Sequence, residues 1–148
     1  MKQKTSLKTR ALRYLSAREH SKKELADKLG RFMEADDDLE GLLSWLENEG
    51  FLSDVRFAQS LVRTRIKGYG NSRIMYELKQ HLAHESLEDA TVLELLEDED
   101  SRARQVREKK FGEIPTDARE RSRQMNFLLR RGFSNEAIWR AMSEESDN

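Results

Sequence analysis

The sequence predicts an all-α fold, an elongated array of three tandem three-helix repeats. Three observations predict it. A short pattern recurs: Glu24-Leu25-Ala26-Asp27-Lys28-Leu29, then Glu77-Leu78-Lys79-Gln80-His81-Leu82, then Phe127-Leu128-Leu129-Arg130-Arg131-Gly132-Phe133. Each is a helical apolar pair beside a basic or His residue, with a helical stretch on either side. Proline occurs once, at Pro115, so helix is permitted almost everywhere else. Hydrophobic residues are 36% and charged residues 37%, a balance that suits amphipathic helices with wide solvated faces better than one thick core. No stretch alternates with period two for long enough to make a strand. A single bundle with a continuous core is the alternative, and the repeated short–break–short rhythm favours the array.

The predicted repeats span residues 1–52, 53–97 and 98–148. In the first, Leu7, Ala11, Leu12 and Leu15 form a helical stripe from Ser6 to Arg18, with Tyr14 beside it. Ser21 caps the second helix, with Glu24 placed to complete a capping box. Asp36-Asp37-Asp38 loads the start of a third with acid, and Gly50 ends it. Leu39, Leu42, Leu43 and Leu46 are its stripe.

Ser53 or Asp54 caps the next helix, carried by Phe57, Ala58, Leu61, Val62 and Ile66. Gly68-Tyr69-Gly70 breaks it. Asn71 or Ser72 caps a helix burying Ile74, Met75, Leu78 and Leu82. Ser86, with Asp89, starts one further helix through Val92, Leu95 and Leu96. Asp98-Glu99-Asp100 opens the last repeat, with Ala103, Val106 and Phe111 as sparse apolar positions. Gly112 and Pro115 interrupt it. Thr116 or Asp117 caps a helix reaching Arg131, Gly132 stops it, and Ser134 caps a final helix with Ile138, Trp139 and Met142. This makes nine helices, with a frayed acidic tail over residues 144–148.

Cysteine is absent, which excludes disulfides and thiolate metal sites. The basic N-terminus is followed by no apolar signal core, and no run reaches transmembrane length, so a cytoplasmic protein is expected. The formal net charge of −1 hides an uneven distribution. Residues 1–35 hold ten basic and four acidic side chains, residues 36–100 six and sixteen, and residues 101–148 eleven and eight. Tight non-specific DNA binding by the whole protein is disfavoured, while local patches can still meet phosphate.

Chemistry-bearing clusters are few. His81 and His84 share a helix end with Glu85 beside them, but no Cys can complete a soft site and the only other His, His20, is remote, so a solvated end accounts for them. Asp36–Asp38 and Asp98–Asp100 lack the spaced ligands of a calcium loop, and compensation of helix dipoles explains both. Ser21 beside His20 reads as a cap, not a nucleophile. Trp45 and Trp139 are expected to pack against neighbouring helices. Neither a catalytic residue nor a cofactor is expected.

The candidate binding residues are cations. Gly68-Tyr69-Gly70-Asn71-Ser72 leads into a helix N-terminus flanked by Lys67 and Arg73, where free N–H groups favour an anion. Arg63, Arg65 and Lys67, with Arg73 and Lys79, are the leading group. Arg10 and Arg13, beside Lys8, form a second. Arg104, Arg107 and Lys110, beside Arg102 and Lys109, form a third. Solvated faces balanced by acidic neighbours are the ordinary alternative.

The joint between the first two repeats is the most specific passage. It runs from Trp45-Leu46-Glu47-Asn48-Glu49-Gly50-Phe51-Leu52 through Ser53-Asp54-Val55-Arg56-Phe57-Ala58. It continues at Arg63-Thr64-Arg65-Ile66-Lys67-Gly68-Tyr69-Gly70-Asn71-Ser72-Arg73-Ile74 and Glu77-Leu78. This resembles the RecX family, the bacterial regulators of the RecA recombinase. Ala11 to Leu29 resembles the family's first repeat. Arg104 to Met142, with Lys110-Phe111-Gly112 and Leu128-Leu129-Arg130-Arg131-Gly132-Phe133, resembles its last. Two departures stand out: Ser53-Asp54 replaces the family's paired acids, and His81-Leu82-Ala83 replaces its Lys-Gly-Ile.

The charged surface suggests a monomer, and the resemblance implies a non-enzymatic array that binds the RecA–DNA filament in its groove. It implies inhibition of RecA's recombinase, ATPase and coprotease activities in DNA repair, recombination and the SOS response. Arg63, Arg65, Lys67, Arg73 and Lys79 lie in the segment closest to the family pattern. Weak single- or double-stranded DNA contact is expected beside the filament. The alternative function is a free-standing nucleic-acid-binding module for which RecA contact is secondary.

Overall fold

The structure is a computed structural model that describes residues 5–143. The basic residues 1–4 and the tail expected to fray, residues 144–148, lie outside the described residues. Among those described there are ten helical segments and no strand. The first unit is α1 (Leu7–Ala17), α2 (Lys22–Gly30) and α3 (Leu39–Asn48). The second is α4 (Asp54–Arg65), α5 (Asn71–His81), α6 (His84–Leu87) and α7 (Ala90–Glu94). The third is α8 (Glu99–Phe111), α9 (Ala118–Arg130) and α10 (Asn135–Ala141).

Each unit buries its own apolar cluster. Leu7, Ala11, Leu25, Leu29, Leu43, Leu46 and Leu52 make the first. Ala58, Val62, Ile74, Leu78, Leu87, Val92 and Leu96 make the second. Ala103, Leu128, Phe133, Ala137, Ile138, Ala141 and Met142 make the third. Three small cores in series expose more surface than one large core. The accessible surface is 10109 Å² for 17.4 kDa, against roughly 7,900 Å² for a compact protein of that mass.

The middle helices show how the repeat works. Leu25 and Leu29 of α2 are fully buried, as are Ile74 and Leu78 of α5. At the same four-residue spacing α9 buries Gln124 and Leu128. Gln124 is thus a polar residue at a core position, and its Oε1 has no hydrogen-bond partner among the described residues.

Side-chain caps start most helices. Ser6, Ser21, Asp38, Ser53, Asp117 and Ser134 each accept from a backbone N–H in the first turn. The capping box at Ser21 is not closed, because the Glu24 carboxylate turns to the Arg18 guanidinium at 2.7 Å. Burial would raise the Glu24 pKa, but the hydrogen bond and charge of Arg18 outweigh it and hold the group below its ordinary value.

The helix expected from Ser86 is two short segments. Asp89 leaves the helix and accepts from Thr91 N at 2.9 Å, so it caps α7 instead of continuing α6. An Asp that bonds the backbone two residues on competes with the helix ladder, which is why the pattern breaks there. Asn71 and Ser72 are likewise not caps. Gly70 is the N-cap of α5 and no side chain of its own turn caps it.

Trp45 packs against the first core as expected, and Trp139 does not. Trp139 is 65% exposed. Trp45 is half-buried, stacked on Phe51 with ring centroids 5.8 Å apart and carrying the Lys8 ammonium 4.0 Å from its ring centre. Helical spacing puts Ile138 and Met142 in the core and leaves Trp139, one step round α10, facing out.

Candidate interaction surface

The turn at residues 68–70 does not wait for an outside anion. The Asn71 N–H donates to Glu99 Oε2 at 2.6 Å. The other carboxylate oxygen, Oε1, accepts from Ser134 Oγ at 2.6 Å and from Ser134 N at 3.3 Å. One carboxylate from α8 therefore serves the starts of both α5 and α10, where helix dipoles favour negative charge. Gly70 N donates to Arg131 O at 2.8 Å, and Ser72 N to Gly132 O at 3.2 Å. The Asn71 and Ser72 N–H groups, read as free in the sequence, are filled from within the chain.

This interlock depends on two glycines. A Cβ at Gly70 would run into the backbone of Gly132 and Phe133, and one at Gly132 into the Arg73 backbone and Cβ. Gly132 also sits at φ 86°, where a side chain is strained. Arg102 completes the joint, donating to Tyr69 O at 3.0 Å and to the Asn71 side-chain oxygen. Burial lowers its pKa, with Glu99 and Asp98 opposing.

The five leading cations do not behave alike. Arg65 Nε bonds Glu77 Oε2 at 2.8 Å. Arg73 lies 3.6 Å from the same carboxylate and 5.5 Å from the centre of the Tyr69 ring. Arg63, Lys67 and Lys79 are exposed and have no carboxylate partner among the described residues. Helical spacing sets Arg73, Tyr76 and Lys79 on one face of α5, and Tyr76 is 63% exposed.

The secondary cations also divide. Arg107 is corrected outright: it is 3% exposed. Its guanidinium donates to Ala141 O at 2.9 Å and Gly112 O at 2.8 Å, tying the end of α8 to the end of α10. Burial lowers its pKa. It fills the apolar gap that the sparse hydrophobic pattern of α8 leaves open, so it is not offered to a partner. Arg104 donates to Arg140 O at 2.9 Å. Lys110 lies 5.8 Å from the Phe127 ring centre. Arg10 is half-buried with its guanidinium 3.7 Å over Phe32. Arg13 is exposed, with no carboxylate partner among the described residues.

Two histidines have other duties. His81 packs edge-on against Phe57 at 5.4 Å, and His84 lies 3.0 Å from Glu88. Among the described residues no three of His, Asp and Glu converge as a metal site would need. His20 is buried, with Nδ1 3.0 Å from Arg18 O and Nε2 2.9 Å from the Lys28 ammonium. A carbonyl can only accept and an ammonium only donate, so the ring is neutral with its proton on Nδ1. Burial lowers its pKa.

Arg130 and Arg131 are what the sequence reading passed over as site residues. Arg130 is exposed without a carboxylate partner among the described residues. The Arg131 guanidinium lies 5.0 Å from the Tyr69 ring centre and 5.1 Å from that of Phe127. A finer charge count carries the signal. Residues 55–84 hold six Lys and Arg against Glu77 alone, and residues 118–135 hold five Arg against Glu120 alone. Counting residues 36–100 as one acidic block hid the first of these.

Comparison with known proteins agrees along the whole chain. Residues 8–36 match the model for the RecX first three-helix domain, residues 53–81 the second, and residues 97–142 the third. The regulatory protein RecX of Herminiimonas arsenicoxydans is 51% identical over 148 residues, covering 99% of this chain and 97% of that protein. The regulatory protein RecX of Herbaspirillum seropedicae is 49% identical over 134 residues, covering 90% and 86%. In three dimensions, the crystal structure of RecX from Lactobacillus salivarius matches with a TM-score of 0.74 at 24% identity, over 92% of both chains.

Proposed function

The chain belongs to the RecX family of regulatory proteins, and from that premise we propose that it binds the RecA–DNA filament and restrains it. The restraint falls mainly on RecA's recombinase, ATPase and coprotease activities, in DNA repair, recombination and the SOS response. The match of all three units to RecX domains carries the reading. Three small cores in series make a long body, and a filament groove is long and repetitive. Contacts that are weak singly then add through multivalency.

Arg63, Lys67 and Lys79 are the cations we assign to the partner, because their charges are not spent inside the chain. Arg65 and Arg73, which share Glu77, hold the second unit's face in shape. The protein acts by binding. Ser21 and His20, the one Ser–His neighbour pair, are both buried, the first as a helix cap and the second with both ring nitrogens engaged. Among the described residues no helix is long and apolar enough to cross a membrane. We place the protein in the cytoplasm, where its partner filament works, as a monomer.

The test is a titration of RecA ATPase on single-stranded DNA, with capture on immobilised RecA, DNA and assembled filament. The parent should lower the ATPase and be captured best by the filament. Lys67→Glu with Lys79→Glu should require a several-fold higher concentration for the same inhibition. No effect of the parent on ATPase, with no filament capture, would end this reading.

A further inference from the structure

Two basic stretches of the sequence, residues 55–84 and 118–135, are separated by a segment that opens with the acidic run from Glu85 to Asp100. The fold brings them together. The C-terminal turn of α9 docks on the N-terminal turn of α5 through Gly70 N–Arg131 O and Ser72 N–Gly132 O. Arg131 and Arg73 both lie against Tyr69, at 5.0 and 5.5 Å from its ring centre. Lys67 precedes Tyr69 by two residues and Arg130 precedes Arg131 by one, both exposed, with exposed Arg63 and Lys79 on α4 and α5. Of the nearby acids, Glu77 is engaged by Arg65 and Arg73 and Glu99 by the two helix starts, while Asp98 is close enough to act on the Arg102 charge. Beside the cations, Tyr76 offers an exposed ring between Arg73 and Lys79.

We propose that this seam between the second and third units is a binding site for single-stranded nucleic acid, assembled only when the two units interlock. Unspent Lys and Arg side chains take the phosphates, and Tyr76 takes a base. Acidic protein surface would satisfy the cations but gives the exposed ring no role. A duplex would satisfy the phosphate contacts but hides its base faces. An unpaired strand uses both, since each nucleotide brings a base π-face for an aromatic side chain and a phosphate charge for a cation. The inference goes beyond the regulatory reading and needs no RecA, so the two can fail separately.

The experiment is fluorescence anisotropy of the full chain without RecA, using labelled oligothymidylate, a duplex of equal length and a polyglutamate peptide. Oligothymidylate should bind most tightly, with log affinity falling linearly with log salt. The triple variant Lys67→Glu, Lys79→Glu, Arg130→Glu should keep its helicity and lose about tenfold or more in affinity. Tyr76→Ala should weaken the single strand about fivefold with little change in salt slope. Arg31→Glu, an exposed cation at the end of α2 on the first unit, should change affinity less than about twofold. Duplex or polyglutamate binding as tightly as oligothymidylate would overturn the proposal. So would a triple variant that binds like the parent, or an Arg31→Glu variant that loses as much as the triple.

Discussion

The two joints of this array are built from different materials. Between the first and second units the hydrogen bonds run through side chains. Lys22 N donates to Asp54 Oδ1 at 2.8 Å, Arg56 Nε to Glu19 Oε1 at 2.9 Å, and the Lys23 ammonium to Gln80 O at 3.2 Å. A cleft of about 730 Å³, lined by Lys22, Leu39, Asp54, His81 and Ala83 among others, opens beside them. Between the second and third units backbone bonds backbone, two glycines allow contact no side chain would permit, and one carboxylate caps two helices. Exposed ion pairs give a joint little stability, whereas backbone interlocks with filled helix termini fix geometry. The contrast predicts that the joint of the second and third units is the tighter and that of the first and second the looser.

The largest expected effect breaks the tight joint. Gly70→Ala forces a methyl into the Gly132–Phe133 backbone and should destabilise the protein by about 3 kcal/mol, the upper range for overpacking. Thermal unfolding near that of the parent would mean that the two turns can separate at little cost. Glu99→Ala comes next. It strands the Asn71 and Ser134 donors and should cost about 2–3 kcal/mol, as expected for charge-assisted bonds. Hydrogen exchange should quicken at the starts of both α5 and α10, and quickening at only one would divide the shared cap.

On the loose joint, Arg56→Ala removes an exposed pair with Glu19 and a bond to Gly50 O, and should cost no more than about 1 kcal/mol. A loss as large as that of Glu99→Ala would erase the contrast. The smallest effect is confined to the first unit. Burial lowers the His20 pKa below its ordinary 6.5, so the unfolded chain takes up the proton first. The stability this supplies is complete above that pH and declines as pH falls through it. Melts of the parent should drop on acidification below pH 6.5 more than those of His20→Gln. Parallel curves would show that His20 is not neutral in the folded protein.

Much of the fold was legible because helix periodicity and caps are local. Ser21, Ser53 and Ser134 announce their helices within one turn, and Leu25–Leu29 announces its core contact within four residues. The break that was missed has a competing local bond, at Asp89, and the cap misassigned at Asn71 has a partner from far along the chain, Glu99. The interaction surface was harder for the same reason. Arg65 and Arg107 carry the same charge in the sequence, but one meets Glu77 and the other is buried against the end of α10. Only the fold decides which cations are spent. Trp139 shows the converse: beside Ile138, it looked like core until the helix face was fixed.

The most direct test compares the joints in the function itself. RecA ATPase on single-stranded DNA is titrated with the parent, Glu99→Ala and Arg56→Ala, each confirmed folded at the assay temperature. Glu99→Ala should need about tenfold more protein for half-inhibition, although it removes an acid from a basic face, and Arg56→Ala should stay within about twofold of the parent. Equal inhibition by both variants would contradict the claim that the interlocked seam of the second and third units is the working surface.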